Sequence, residues 1–176
     1  LAAIGVDVWC NIVMSSSDAA PLQPAPLDAV DQKILTELIA DSRLSNAALA
    51  QRVGVAPSTA LLRTRQLQER GVIEGFTTRL SLSTIGRTVQ ALIAVKLRVH
   101  DREQIDAFTT KIPQLSGVLS MFHVSGVTDY LIHVAVASTD DLRDWVLDNL
   151  ATDDAVAHTE TTLVFVQHMG QSSPLE

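Results

Sequence analysis

Two hydrophobic rhythms run along this chain, and they change over near Thr88. In LDAVDQKILTELIADSRLS, Val30, Ile34, Leu35, Leu38 and Ile39 recur at helical spacing. That spacing predicts a first helix, with Asp28 as its N-cap. Ser45 can cap a second, short helix, NAALAQRVG, which turns Leu49, Ala50 and Val53 inward. Gly54 after it can take the positive φ of a tight turn. Pro57 suits the first turn of a third helix, which runs to about Arg70 and stops at Gly71. On that helix Ala60, Thr64 and Leu67 fall at i, i+4, i+7 and are expected inward, together with Leu61. VIEGFTTRLS alternates weakly around Gly75 and predicts a short β-ribbon or wing. Helix, helix, tight turn, helix, ribbon is the order of a winged helix-turn-helix.

From Thr88 the period becomes two. TVQALIAVKLR alternates Val89, Ala91, Ile93, Val95 and Leu97, a strand pattern. DREQIDAFTTKIPQL returns to helical spacing, with Ile105, Phe108 and Ile112 on one face and Pro113 near its end. GVLSMFHVSG and DYLIHVAVAS read as strands joined by the turn SGVTD. TDDLRDWVLDNL predicts a helix capped by Thr139 or Asp140, with Leu142, Trp145, Val146 and Leu150 inward, and HTETTLVFVQH closes as a fourth strand. The order βαββαβ is that of a ferredoxin-like sandwich, so the fold class is α+β. The sheet face away from the helices is expected to carry Leu92, Met121 and Leu163. An apolar face of that size usually finds a partner, which predicts oligomerisation.

Composition bounds the rest. The 176 residues are 47% hydrophobic, enough to pack one domain or two small ones. The net charge is −7, but it is unevenly spread. Residues 52–79 hold five basic and two acidic side chains, against six and twelve in residues 87–176. A basic stripe on an acidic body suggests one surface that faces a polyanion. The single cysteine, Cys10, allows no intrachain disulfide and suits a reducing, cytoplasmic setting. The apolar stretch 1–14 lacks a basic leader and is too short to span a bilayer. Residues 1–26, which include Pro21, Pro24 and Pro26, are expected to form a flexible tail, with Met14 as the working initiator or 1–13 as an extension outside the fold. Residues 171–176 are expected to form a second flexible end.

The basic stripe centres on the third helix, where Arg63, Arg65 and Arg70 fall within eight residues. With Ala60, Thr64 and Leu67 inward, the opposite surface is expected to present Ser58, Thr59, Leu62, Arg63 and Gln66, with Arg65 and Arg70 at its flanks. These groups suit a DNA groove. Arginine can bond guanine bidentately, glutamine can pair with adenine, and flanking arginines reach phosphates. An isolated helix of this kind is more often a solvated amphipathic surface. The preceding short helix, the Gly54 turn and the following ribbon favour the DNA-reading alternative.

These segments, LDAVDQKILTELIADSRLS, LAQRVGVAPSTALLRTRQLQERGVIEGF and SGVTDYLIHV, resemble the Lrp/AsnC family of prokaryotic regulators over Leu27 to about Gly170. The resemblance implies a winged helix-turn-helix over 27–86 and a βαββαβ effector-binding and dimerisation domain over 87–170. It also implies double-stranded operator DNA and a free amino acid as partners, a homodimer that often assembles as four dimers, and a cytoplasmic protein at the nucleoid. It implies an effector site at the dimer interface around the SGVTD turn. Gly126 and Asp129 match that pattern, Thr128 replaces an aromatic residue, and Thr159, Thr161 and, more weakly, Met121 are further candidates. A glycine lets a carboxylate approach backbone N–H groups, and an aspartate can neutralise an α-ammonium. The chain departs from the family at Ala56, where a serine usually precedes the helix proline, and at Thr64, where an apolar β-branched residue is common.

Other constellations carry less. His123, His133, His158 and His168 are scattered over strands, without the spacing of a metal site. TDDLRDWVLDNLATDD lacks the glycine and glutamate spacing of a calcium loop. No phosphate loop, nucleophile elbow or paired catalytic carboxylates appear, so neither an enzyme nor a resident cofactor is expected. The sequence reading is a sequence-specific transcriptional regulator whose DNA binding or assembly answers to an amino acid. The alternative is an architectural protein that wraps DNA without effector control.

Overall fold

The computed structural model describes residues 26–98, 101–168 and 170. The expectations for the first 25 residues, including Cys10 and Met14, and for residues 171–176 lie outside the described residues. The chain divides into two compact units between Thr77 and Thr78. This division is earlier in the chain than the one drawn from the change of hydrophobic period.

The first unit is built from three helices: α1 (Ala29–Ala40), α2 (Asn46–Val53) and α3 (Pro57–Glu69). Asp28 caps α1 by accepting from the N–H groups of Val30 and Asp31, at 2.9 and 2.8 Å. Ser45 caps α2 through Ala48 N–H at 3.2 Å. Gly54 ends α2 at φ 81°, the left-handed conformation that glycine adopts at little cost. The core gathers Ile34, Leu35, Leu49, Val53 and Leu67, the inward stripes of all three helices. Ile39 and Leu61 are exposed instead, at 56% and 41%, which corrects the inward expectation for Leu61. Thr64 is half-buried, and its hydroxyl donates to the Ala60 carbonyl of its own helix at 2.9 Å.

The expected ribbon after α3 is absent among the described residues: no strand falls within 72–88. Its first residues are used elsewhere. The Val72 and Ile73 N–H groups both donate to Leu67 O, at 2.9 and 3.1 Å, and their side chains pack on the helical core.

The second unit is a four-stranded antiparallel sheet, β1 (Val89–Leu97), β2 (Val118–His123), β3 (Tyr130–Val136) and β4 (Val156–Val164), in the order β2-β3-β1-β4. Two helices cross between strands. The first is α4 (Arg102–Lys111), and the second is α5 (Thr139–Val146), which continues as a π-helical turn over Leu147–Ala151. This is the α+β, ferredoxin-like arrangement the pattern predicted. Ser138, rather than Thr139 or Asp140, caps α5 by accepting from Asp141 N–H at 3.1 Å. The core lies between sheet and helices, where Ala91, Ile93, Val95 and Leu97 meet Ile132, Val134, Phe108, Ile112 and Leu142.

Register decides which side chains share that face. Met121 lies opposite Ile132 and Leu163 opposite Ala91, so both belong to the helix side of the sheet. This corrects their expected placement beside Leu92. On β2 a register shift between Val118 and Ser120 reverses the alternation, as a bulge does. The open face instead carries Leu92, Leu131 and Phe122, the last 52% exposed.

Candidate functional site

Helix α3 begins at Ala56, whose side chain makes no capping hydrogen bond, followed by Pro57 in the first turn. Asn46 at the start of α2 donates its side-chain amide to the Pro57 carbonyl at 2.7 Å. This bond ties the two helices of the helix-turn-helix together at the turn. Ser58, Thr59, Leu62, Arg65 and Gln66 are all exposed, Leu62 at 56%. At 3.6 residues per turn these five share the helix surface opposite buried Ala60 and Leu67. Leu61 borders the same surface.

Arg63 and Arg70 sit differently from Arg65. The Arg63 guanidinium lies 2.7 Å from the Asp28 carboxylate and 3.3 Å from that of Asp31. Arg70 lies 3.4 Å from Asp31 and also donates to the Pro26 carbonyl at 3.3 Å. Both arginines therefore turn toward the start of α1. Arg65 makes no ion pair with a described residue. The N–H of Asp31 and the Arg63 guanidinium together hold the Asp28 carboxyl below its ordinary range, despite some desolvation.

The SGVTD turn links β2 to β3. Gly126 is exposed at φ 126°, and an added Cβ would meet nothing within 4 Å. Thr128 is half-buried. Asp129 is 1% exposed, accepts from the Leu97 N–H at 2.8 Å and lies 3.1 Å from the Lys96 ammonium. Its carboxylate thus closes the end of the β1–β3 ladder. Thr159 and Thr161 share a face, opposite Val95 and Ile93. They stand on β4, across β1 from the turn, so their backbone lies about 10 Å from β3. One chain does not bring the two threonines to Gly126. Met121 packs on the core under the sheet.

The histidines do not converge. His123 stacks on Tyr130 at 4.8 Å between ring centres, whereas His133 lies opposite Leu92 and pairs with the Gln90 side chain at 3.1 Å. Burial lowers the His133 pKa below its ordinary value. Among the described residues no group of three His, Cys, Asp or Glu could hold a metal ion, and no helix is long and apolar enough to cross a membrane. Lys96, which pairs with Asp129, and Asp31, which pairs with both arginines, are the participants the sequence reading missed. The i, i+3 spacing of Asp28 and Asp31 at a helix start was the available signal for the second.

A helix-turn-helix with a polar, solvent-facing third helix, followed by a separate α/β sandwich, defines a DNA-binding protein with an appended regulatory domain. Residues 27–74 match the profile of winged helix-turn-helix DNA-binding domains, and residues 90–173 match that of the Lrp/AsnC ligand binding domain. The chain is 42% identical over 149 residues to the HTH-type transcriptional regulator AldR of Mycolicibacterium smegmatis, covering 85% of this chain and 86% of that one. It is similar to the crystal structure of the Mtb AldR protein, with 38% identity and a TM-score of 0.77 over 86% of this chain and all of that one. It is also similar to a Neisseria meningitidis transcriptional regulator solved as an L-Met complex, with 30% identity and a TM-score of 0.78 over 85% and 97% of the two chains. The chain belongs to the Lrp/AsnC family and is a DNA-binding transcriptional regulator of that type.

Proposed function

We propose that this regulator reads a specific operator with Ser58, Thr59, Leu62, Arg65 and Gln66, and that an amino acid bound by the second domain modulates the reading. The observation that carries the first half is the exposed surface of α3, where Arg65 is unpaired by any described carboxylate. Arg65 can reach guanine or a phosphate, Gln66 an adenine, and the two hydroxyls adapt to either. Each well-made bidentate base contact supplies ~1–3 kcal/mol of discrimination. Arg65→Ala should weaken operator binding and make it less salt-dependent, with the slope of log K against log salt falling by about 1 if Arg65 meets a phosphate. Fluorescence anisotropy over a salt series measures both. An unchanged slope together with unchanged affinity would remove Arg65 from the interface.

The second half rests on the ligand-binding domain and on the neighbouring regulator that holds L-Met. An amino acid is the effector class we infer, with Gly126 and Thr128 at the accessible turn and Thr159 and Thr161, which stand on the helix side of β4, contributed by a second copy along that edge strand rather than through the open face. The open sheet face of Leu92, Leu131 and Phe122 supports pairing of two chains. Asp129 then shapes the turn through Leu97 and Lys96 rather than standing open to a ligand. On this reading the protein works in the cytoplasm, at the nucleoid. Control requires that the amino acid favour one assembly over the other, since equal affinity for both shifts nothing.

A further inference from the structure

Ala60, Arg63, Leu67 and Arg70 follow one another at spacings of three, four and three along α3. That is the spacing of a single helix stripe, and its two apolar members are fully buried. The two arginines therefore continue the packing stripe, and their long side chains run toward α1. What they meet there is a buried carboxylate. The Asp31 side chain is only 3% exposed, and its two oxygens are divided between Arg63 and Arg70 at 3.3 and 3.4 Å. Asp28 adds a second carboxylate to Arg63 at 2.7 Å while its other oxygen caps α1.

We infer that Asp31 is the positioning residue of the DNA-reading helix, and that Arg63 and Arg70 act through it rather than by touching DNA. A guanidinium is a planar fork of donors, so bridging two carboxylates restricts its rotation. Arg63 bridges Asp28 and Asp31, and Arg70, two helical turns on, ties Asp31 and the Pro26 carbonyl; together they define both the tilt and the axial register of α3 against α1. Local charge supports the assignment. Of the basic side chains in 52–79, Arg52 pairs with Glu37 at 3.0 Å, and Arg63 and Arg70 pair with Asp28 and Asp31. Arg65 and Arg79 are the two with no ion pair to a described residue. The cluster of arginines that marks the helix in the sequence thus has two roles: one cation faces outward, and two hold the helix in place.

This inference rests on α3 being the reading helix, and the test separates the two ideas. The probe is a duplex that the parent protein selects from a randomised pool, with random duplex as control, and the full chain is titrated by anisotropy across a salt series. Arg63→Ala should lower affinity for the selected duplex by about tenfold or more, the scale of one lost base contact, with the salt slope unchanged. Arg65→Ala should lower affinity directly, with a reduced slope where Arg65 meets a phosphate. A slope reduced as much in Arg63→Ala as in Arg65→Ala, or an Arg63→Ala affinity equal to the parent's, would overturn the inference. An Arg65→Ala protein unchanged in both respects would overturn the reading-face assignment beneath it. If Arg63→Ala fails to fold, Arg63→Lys decides. It keeps the charge a phosphate needs but ends in an ammonium on a shorter side chain, which does not reach both carboxylates from the Arg63 backbone position, so its selected-duplex affinity should fall at constant slope. Parent-like affinity in Arg63→Lys would overturn the inference.

Discussion

Ala56 stands where the first N–H groups of α3 need an acceptor, and its methyl group offers none. Its backbone, at φ −66° and ψ 148°, already has the extended conformation of an N-cap. Ala56→Ser should therefore stabilise the first unit by ~1 kcal/mol, read as a rise in the midpoint of chemical denaturation. At Tyr130 the hydroxyl is buried and finds no partner among the described residues, and burial raises its pKa. A buried hydroxyl without a hydrogen bond is a net cost, so Tyr130→Phe should be neutral or stabilising by up to ~1 kcal/mol by the same measurement. The sequence showed the Asp28 and Ser45 caps because a cap and its N–H partners lie within three residues. It did not show the partners of Arg63, because Asp31 meets that side chain only after α1 and α3 have packed.

At the scale of elements, phase is what the pattern alone carries unevenly. The alternation of β1 is unbroken, and its buried positions were legible from spacing. On β2 one register shift moves Met121 to the helix side, and nothing local in GVLSMFHVSG announces it. The segment after α3 forms no strand for a related reason, since Val72 and Ile73 satisfy their N–H groups on α3. On the open sheet face, buried His133 lies between Leu92 and Ser120 with Gln90 as its hydrogen-bond partner, and Lys96, Asp129, His158 and Glu160 are charged or titratable groups on that side. Its pKa is lowered by burial, so the unfolded chain takes up a proton before the folded one. Above the ordinary value of 6.5 the group contributes no pH dependence; as pH falls below it, stability falls. Thermal unfolding should show that decline, and His133→Gln should remove its share.

Across the whole molecule, charge divides labour. The acidic second unit repels a polyanion, and the first unit presents a short outward-facing polar surface on a helix held by its own ion pairs. Such a protein depends on a few well-placed contacts more than on net attraction to phosphate, which favours sequence-specific control over broad wrapping. The direct test is fluorescence anisotropy of the full chain on its selected duplex and on random duplex, repeated with each of the twenty amino acids. The account predicts that the selected duplex binds at least ~10³-fold tighter and that one or a few amino acids shift that binding. Equal affinity for both duplexes, indifferent to every amino acid, would contradict it.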